Sequence, residues 1–200
     1  MTSSNQTKIN LVDVLQQFSV QYIEQYQLLH KHLPLIEQDE NWPSPCELTL
    51  SDDDTINPPP LSTQVFWRPT LIEKEKELNF DNVESALEII LHEDIKRYFT
   101  AQFSESLDAS CEEGQLTLLF AWNEADFERL QENLIGHILM KRRLKQAETV
   151  FFAVTDEEDM IISVDNDSGA VWVERVGCKP HKKLAESLPQ FIRTLIPRVS

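Results

Sequence analysis

Glycine is scarce, with four in 200 residues. Phosphate cradles depend on glycine-rich turns that let backbone N–H groups close around an anion, and the chain has no G-x-G-x-x-G, Walker or G-x-S-x-G pattern. The three cysteines, Cys46, Cys111 and Cys178, are far apart and odd in number, which suits a reducing compartment and argues against a disulfide framework. No stretch approaches the roughly 18 apolar residues of a membrane-spanning helix. The start, MTSSNQTKINLVDVLQQF, lacks a cationic segment followed by an unbroken apolar block, so no secretory leader is expected. Positive charge is also short: 18 Lys and Arg against 34 Asp and Glu, a net charge of −16. Such a chain repels phosphates, which disfavours sequence-independent nucleic-acid binding and direct adhesion to anionic lipid. Its natural partners are cationic: a basic protein surface, polyamines or metal ions. The bland alternative is charge that only keeps the protein soluble.

Hydrophobic residues make up 41% of the chain, enough for one domain with a true core over residues 1–200. Val12, Leu15, Tyr22, Tyr26 and Leu29 recur at helical steps, predicting an amphipathic helix over 8–31. Residues 34–64 carry Pro34, Pro43, Pro45, Pro58, Pro59 and Pro60 with Asp52, Asp53 and Asp54, and read as a long irregular acidic loop with a short extended piece at 46–50. Val65-Phe66-Trp67 reads as a short strand. A second helix is expected over 81–99, with Asp81 as N-cap and Glu84 three positions on. Residues 115–122 read as an interior strand. Asn123 then caps a helix running to about 145, with Glu124 and Asp126 in its first turn and Lys141, Arg142, Arg143 and Lys145 at its end, the signs that the helix dipole favours. Strands are expected at 149–154, 160–165 and 170–176, the last two joined by a turn at Asp167-Ser168-Gly169, and a final helix at 182–195. The pattern predicts an α+β fold: a mixed, mainly antiparallel sheet covered by helices.

Three motifs invite chemistry. QENLIGH at 131–137 places Glu132, Asn133 and His137 in the apolar 123–145 helix. It is not H-E-x-x-H and has no nucleophile beside it, so it reads as a scaffold helix. Gly136 there costs about 1 kcal/mol against alanine, suggesting another segment passing close by. Asn133 and His137, four apart, are placed to share a face. Cys178-x-x-His181 is a single pair with no C-x-x-C to complete a zinc site. Asp165–Gly169 begins like a calcium loop but has Val176 where the twelfth-position glutamate belongs, so a hairpin turn is the better reading. A metal-assisted hydrolase using His137, His181 and nearby carboxylates is the enzymatic alternative, and metal analysis of purified protein would test it. No catalytic residue, cofactor or metal is assigned.

The acids say more. Residues 37–54 hold seven and no Lys or Arg, residues 156–167 hold six and no base, and residues 73–94 hold eight against Lys74 and Lys76. Runs of charge are usually solvated faces, but several runs converging on one hollow would steer a cationic partner.

Several stretches together resemble a known family: Pro43-Ser44-Pro45-Cys46, Phe66-Trp67-Arg68-Pro69, LTLL at 116–119, the Asp126-Phe127-x-Arg129-x-QENLIGH run, the basic residues at 142–145, and Ile162-Ser163-Val164 with Ser168-Gly169. They resemble the bacterial Syd family of SecY-interacting proteins, itself part of a wider Smi1/Knr4-like superfamily that includes immunity proteins. The resemblance implies a non-enzymatic α/β unit at the cytoplasmic face of the inner membrane. It would be attached through the basic cytosolic loops of SecY, not by insertion, and would monitor or proofread SecY–SecE assembly. Charge and expected exposure nominate Glu84, Glu88, Glu124, Asp126, Glu132, Glu157 and Glu158 as the docking surface. The alternative is an immunity-type or regulatory module that neutralises another cationic protein.

Overall fold

A computed structural model describes residues 10–48, 63–73, 76 and 78–200. Asn10 opens the first helix, α1 (Leu11–His30), by accepting the Val12 N–H at 3.1 Å; Leu11, Leu15, Phe18 and Tyr22 face the core, and Lys31 ends the helix in the left-handed conformation. Residues 8 and 9 of the expected helix lie outside the described residues. The expected loop contains more order than its prolines suggest: β1 (Leu35–Glu37), β2 (Glu47–Leu48) and β3 (Gln64–Trp67) form a three-stranded antiparallel sheet in the order β1-β3-β2. The acidic triplet at 52–54 and the prolines at 58–60 lie outside the described residues. β4 (Thr70–Leu71) pairs with β5 (Gln102–Phe103) in a separate ribbon.

The helix expected over 81–99 is two helices, α2 (Asp81–Leu87) and α3 (Glu93–Phe99). The chain turns at Glu88, in the left-handed region at φ 53°. Long-range bonds select the break. Asn166 accepts the His92 N–H and donates to the Ile90 carbonyl, both at 2.9 Å, while Glu84 Oε1 accepts the Leu91 N–H at 2.9 Å. Ile90, which a continuous helix would place beside Leu87 and Leu91, is 80% exposed. Phe80, not Asp81, occupies the N-cap position of α2. His92 caps α3 by accepting the Asp94 N–H.

The principal sheet has seven strands: β6 (Leu107–Cys111), β7 (Gly114–Leu118), β8 (Thr149–Thr155), β9 (Met160–Asp165), β10 (Val171–Arg175), β11 (Lys182–Ala185) and β12 (Ile196–Pro197). They lie in the order β11-β10-β9-β8-β7-β6-β12, and every pairing is antiparallel. The fold is α+β, as the patterning implies. The strand expected over 115–122 stops at Leu118, and the expected terminal helix is instead β11, a five-residue helix α5 (Leu188–Ile192) and β12. Pro189 explains the last difference: it suits the first turn of α5, whereas inside a helix over 182–195 it would break the hydrogen-bond ladder.

The long helix α4 (Glu124–Arg143) begins as expected. Asn123 accepts the Asp126 N–H and Asp126 in turn accepts the Trp122 N–H, both at 2.9 Å. Helices flank the principal sheet on both faces, as neighbouring residues of β8 show. Phe151 packs against His137 of α4, with ring centroids 5.4 Å apart. Phe152 points the other way, 5.4 Å from Tyr98 of α3 and 6.0 Å from Phe191 of α5. A continuous buried core, from Leu11 in α1 to Leu195 after α5, joins these layers.

The sheet is strongly curled. β11 stands four positions from β7 in strand order, about 19 Å if the sheet were flat. Yet Lys182 of β11 forms an ion pair with Glu113 in the β6–β7 turn. That contact brings the two sides of the sheet together around a hollow.

Candidate partner-binding cleft

The hollow opens as a cleft of about 130 Å³ at the end of the sheet where β6 turns into β7 and β8 into β9. Leu116 of β7, Met160 and Ile162 of β9, Val173 of β10 and Leu184 of β11 give it apolar walls. Glu113, Asp156, Glu157 and Lys182 carry its charge. Small-molecule sites run to roughly 300–1,000 Å³, so this cleft accommodates a side chain or two rather than a cofactor. Glu113 is engaged by Lys182, whereas the Asp156 and Glu157 carboxylates have no ion-pair partner among the described residues.

The nominated acids fall into separate groups. Glu157 and Glu158 share the exposed β8–β9 turn, and Glu157 lines the cleft. The Glu158 carbonyl accepts Arg175 Nη1 at 3.4 Å. Glu124 and Asp126 share the first turn of α4; Glu124 pairs with Lys76 at 2.6 Å, while Asp126 holds the Trp122 N–H. Asp126 also adds to the upward push on the Glu105 carboxyl, whose pKa is raised first by burial. Glu84 is partly buried, fixed by the Leu91 N–H and by Lys96 at 3.1 Å. Glu88 is exposed at the end of α2, which packs on α4, and Glu132 is exposed on α4 itself. Patterning missed Glu113. Its signal was Glu112-Glu113-Gly114, an acidic turn between two strands, visible only once residues 107–111 are recognised as a strand.

QENLIGH belongs to a different structure, a buried polar network between α4 and the sheet. Lys141, fully buried, donates to Glu174 Oε2 at 2.7 Å and to the Cys178 carbonyl at 3.0 Å. The Thr149 hydroxyl donates to Glu174 Oε1 at 2.6 Å, which leaves its oxygen to accept from His137 Nε2 at 3.3 Å. Burial lowers the His137 pKa; Glu174 opposes the shift and Lys141 adds to it. The hydroxyl beside the imidazole, that of Thr149, has its proton committed to Glu174. His137 is buried and Asn133 exposed, so the two diverge rather than pair. Nor does another segment cross at Gly136, where an added Cβ would meet nothing within 4 Å. Cys178 and His181 are both exposed, and among the described residues no three His, Cys, Asp or Glu side chains are grouped to hold a metal ion. Asp165–Gly169 is a hairpin turn, with Asp165 Oδ1 accepting the Ser168 N–H and Gly169 at φ 76°.

Fold and cleft together define a class: an α+β protein whose curled antiparallel sheet, flanked by helices, ends in a small cleft rimmed mostly by carboxylates. The family model described as Syd protein (SUKH-2) matches residues 12–197. The chain is 55% identical to Protein Syd of Colwellia psychrerythraea, over 98% of this chain and 95% of the relative. It is 45% identical to Protein Syd of Pseudoalteromonas atlantica, over 84% and 86% of the two chains. With Protein Syd of Aliivibrio salmonicida the identity is 36%, over 96% and 99%. The chain belongs to the Syd family. No helix among the described residues is long and apolar enough to cross a membrane.

Proposed function

We propose that the chain is a non-enzymatic adaptor whose acidic cleft docks on the basic cytosolic loops of SecY, and that this contact serves to monitor SecY–SecE assembly. The observation that carries the reading is the meeting of Glu113, Asp156 and Glu157 at one cleft on a chain of net charge −16. Membrane proteins of the inner membrane carry their excess Lys and Arg in cytosolic loops. A lysine or arginine from such a loop would lay its aliphatic stem along Leu116, Ile162 and Val173 and set its head among the carboxylates. Glu157 and Glu158 are the principal charge donors in this reading. Glu88, Glu124 and Glu132 extend the negative field, while Glu84 and Asp126 act chiefly by holding α2, α3 and α4 in shape.

Binding of fluorescent peptides carrying the SecY cytosolic loops tests the reading by anisotropy. The triple substitution Asp156→Lys/Glu157→Lys/Glu158→Lys is expected to weaken binding at least tenfold. Raising ionic strength is expected to weaken the unsubstituted chain, because rim charges act through screened long-range attraction. Affinity that ignores both salt and the triple substitution would remove the mechanism. Capture of a basic protein other than SecY from lysate, with no translocon subunit, would favour the immunity-type alternative.

A further inference from the structure

The cleft already holds a cation of the chain's own. Lys182 stands directly opposite Val173 in the β10–β11 pairing, and Val173 stands opposite Ile162 in the β9–β10 pairing. Directly opposite residues of antiparallel strands share a face, so the Lys182 stem continues the apolar row of Val173 and Ile162. Its ammonium reaches across the mouth of the cleft to Glu113 in the β6–β7 turn. An aliphatic stem on the apolar wall with its head on a rim carboxylate is the pose that a partner's lysine would take.

This contact is not what fixes β11. The strand is held by its pairing with β10 and by Leu184 and Ala185, which pack against the core. The Lys182 and Glu113 side chains are 50% and 42% exposed, so the pair is open to exchange and adds little to stability. The next residue provides a contrast: Lys183 points to the opposite face of β11, pairs with Glu186 and lines no part of the cleft. Arg175, also at this end of the sheet, is turned to the Glu158 carbonyl. The cleft therefore sets three carboxylates, Glu113, Asp156 and Glu157, against the single ammonium of Lys182, which engages Glu113.

We propose that Lys182 is an internal competitor for the cleft: it occupies Glu113 until a cationic partner displaces it, and so selects segments bearing two cations over segments bearing one. A segment with a single lysine or arginine gains Asp156 and Glu157 and leaves Lys182 in place. A segment with a second cation two positions on, and so on the same face of an extended chain, gains Glu113 as well, exchanging one ion pair for another. The displaced ammonium returns to water. The exchange needs only rotation of a long, flexible side chain, so β11 keeps its pairing with β10. The inference rests on the cleft's being the docking site, and it names the residue that sets what the site accepts.

Nuclear magnetic resonance titration of the full chain tests it with two otherwise neutral peptides, one carrying a single arginine and one carrying two arginines two positions apart, alongside the SecY-loop peptides. An exposed ion pair contributes up to about fivefold to an equilibrium. Lys182→Met, which keeps the aliphatic stem, is expected to tighten the two-arginine peptide about three- to fivefold and the one-arginine peptide by less than about twofold. Lys183→Met makes the same change in net charge one residue away and is expected to leave both nearly unchanged. Lys182→Arg keeps the pair and is expected to match the unsubstituted chain, while Lys182→Met/Glu113→Gln is expected to lose the gain. Equal effects of Lys182→Met and Lys183→Met, an equal gain for both peptides, or weaker binding by Lys182→Met overturns the proposal. SecY-loop peptides that bind the cleft but ignore Lys182→Met overturn this inference and leave the docking reading intact. A Lys182 effect on the two-arginine peptide with no binding of the SecY loops does the reverse.

Discussion

Lys141→Met removes the cation from a site that contains no water-exposed route to compensation. Lys141 is 0% exposed and Glu174 1%. The substitution deletes the 2.7 Å contact to Glu174 and leaves the Cys178 carbonyl without its donor, so Glu174 keeps only the Thr149 hydroxyl and the more distant His137. Leaving one member of a buried pair uncompensated typically costs about 3–5 kcal/mol. For a chain of this length that corresponds to roughly 6–20 °C in Tm. Part of the cost is recovered by protonation: an unpaired buried carboxylate has its pKa raised, so the folded state binds the extra proton and the deficit shrinks as pH falls. The double variant Lys141→Met/Glu174→Leu removes both charges with similar volume and is expected to regain most of the loss. Urea unfolding at two pH values reads all three outcomes. If the single variant costs less than about 1 kcal/mol, or the double variant is no better than the single, the pair is not the tightly desolvated unit inferred from its burial.

Other expectations follow from the same contacts. Burial holds the His137 imidazole neutral with its pKa below 6.5, so the unfolded chain takes up the proton first and stability is lost as pH falls through about 6.5. In His137→Gln that slope is expected to flatten in pH-dependent unfolding. Gly169→Ala should destabilise by at least about 1–3 kcal/mol, because φ is 76° and the new Cβ would stand 2.5 Å from His92 Nε2. Gly136→Ala, in open space on α4, should stabilise by up to about 1 kcal/mol, and thermal melts compare the two. Glu84→Ala removes the acceptor of the Leu91 N–H and the Lys96 partner; it should cost about 1–3 kcal/mol and speed amide exchange at Leu91.

Local sequence signals were reliable where the element carries its own stop and start. Asn123, the acids of the first turn and the terminal Lys-Arg-Arg set out α4, and the Asp167–Gly169 turn set out β9 and β10, all as found. They failed where a distant residue decides. The break between α2 and α3 depends on Asn166, 74 and 76 positions from the groups it binds, and no periodicity in 81–99 records it. β6 and β12 are short and weakly patterned, and become strands because neighbours offer them an edge. The acids of the cleft are partly readable: Glu157 stands out within an acidic turn, whereas Glu113 depends on the unrecognised β6–β7 hairpin. In the sequence Lys141 is one of four cations at a helix end. Only packing against Glu174 distinguishes it from Arg143.

The two borders of the seven-stranded sheet have a consequence for life at high protein concentration. A border strand with free amides is a template on which an identical molecule can add its own strand. One border here is β12, two residues long with Pro197 as the second, which has no amide proton to offer. The other is β11, four residues that begin with the exposed Lys182 and Lys183, so an incoming copy would have to bring its own two lysines against them or cross a twisted, charged margin. Neither border invites strand-by-strand growth, so copies of the molecule are kept from polymerising edge to edge.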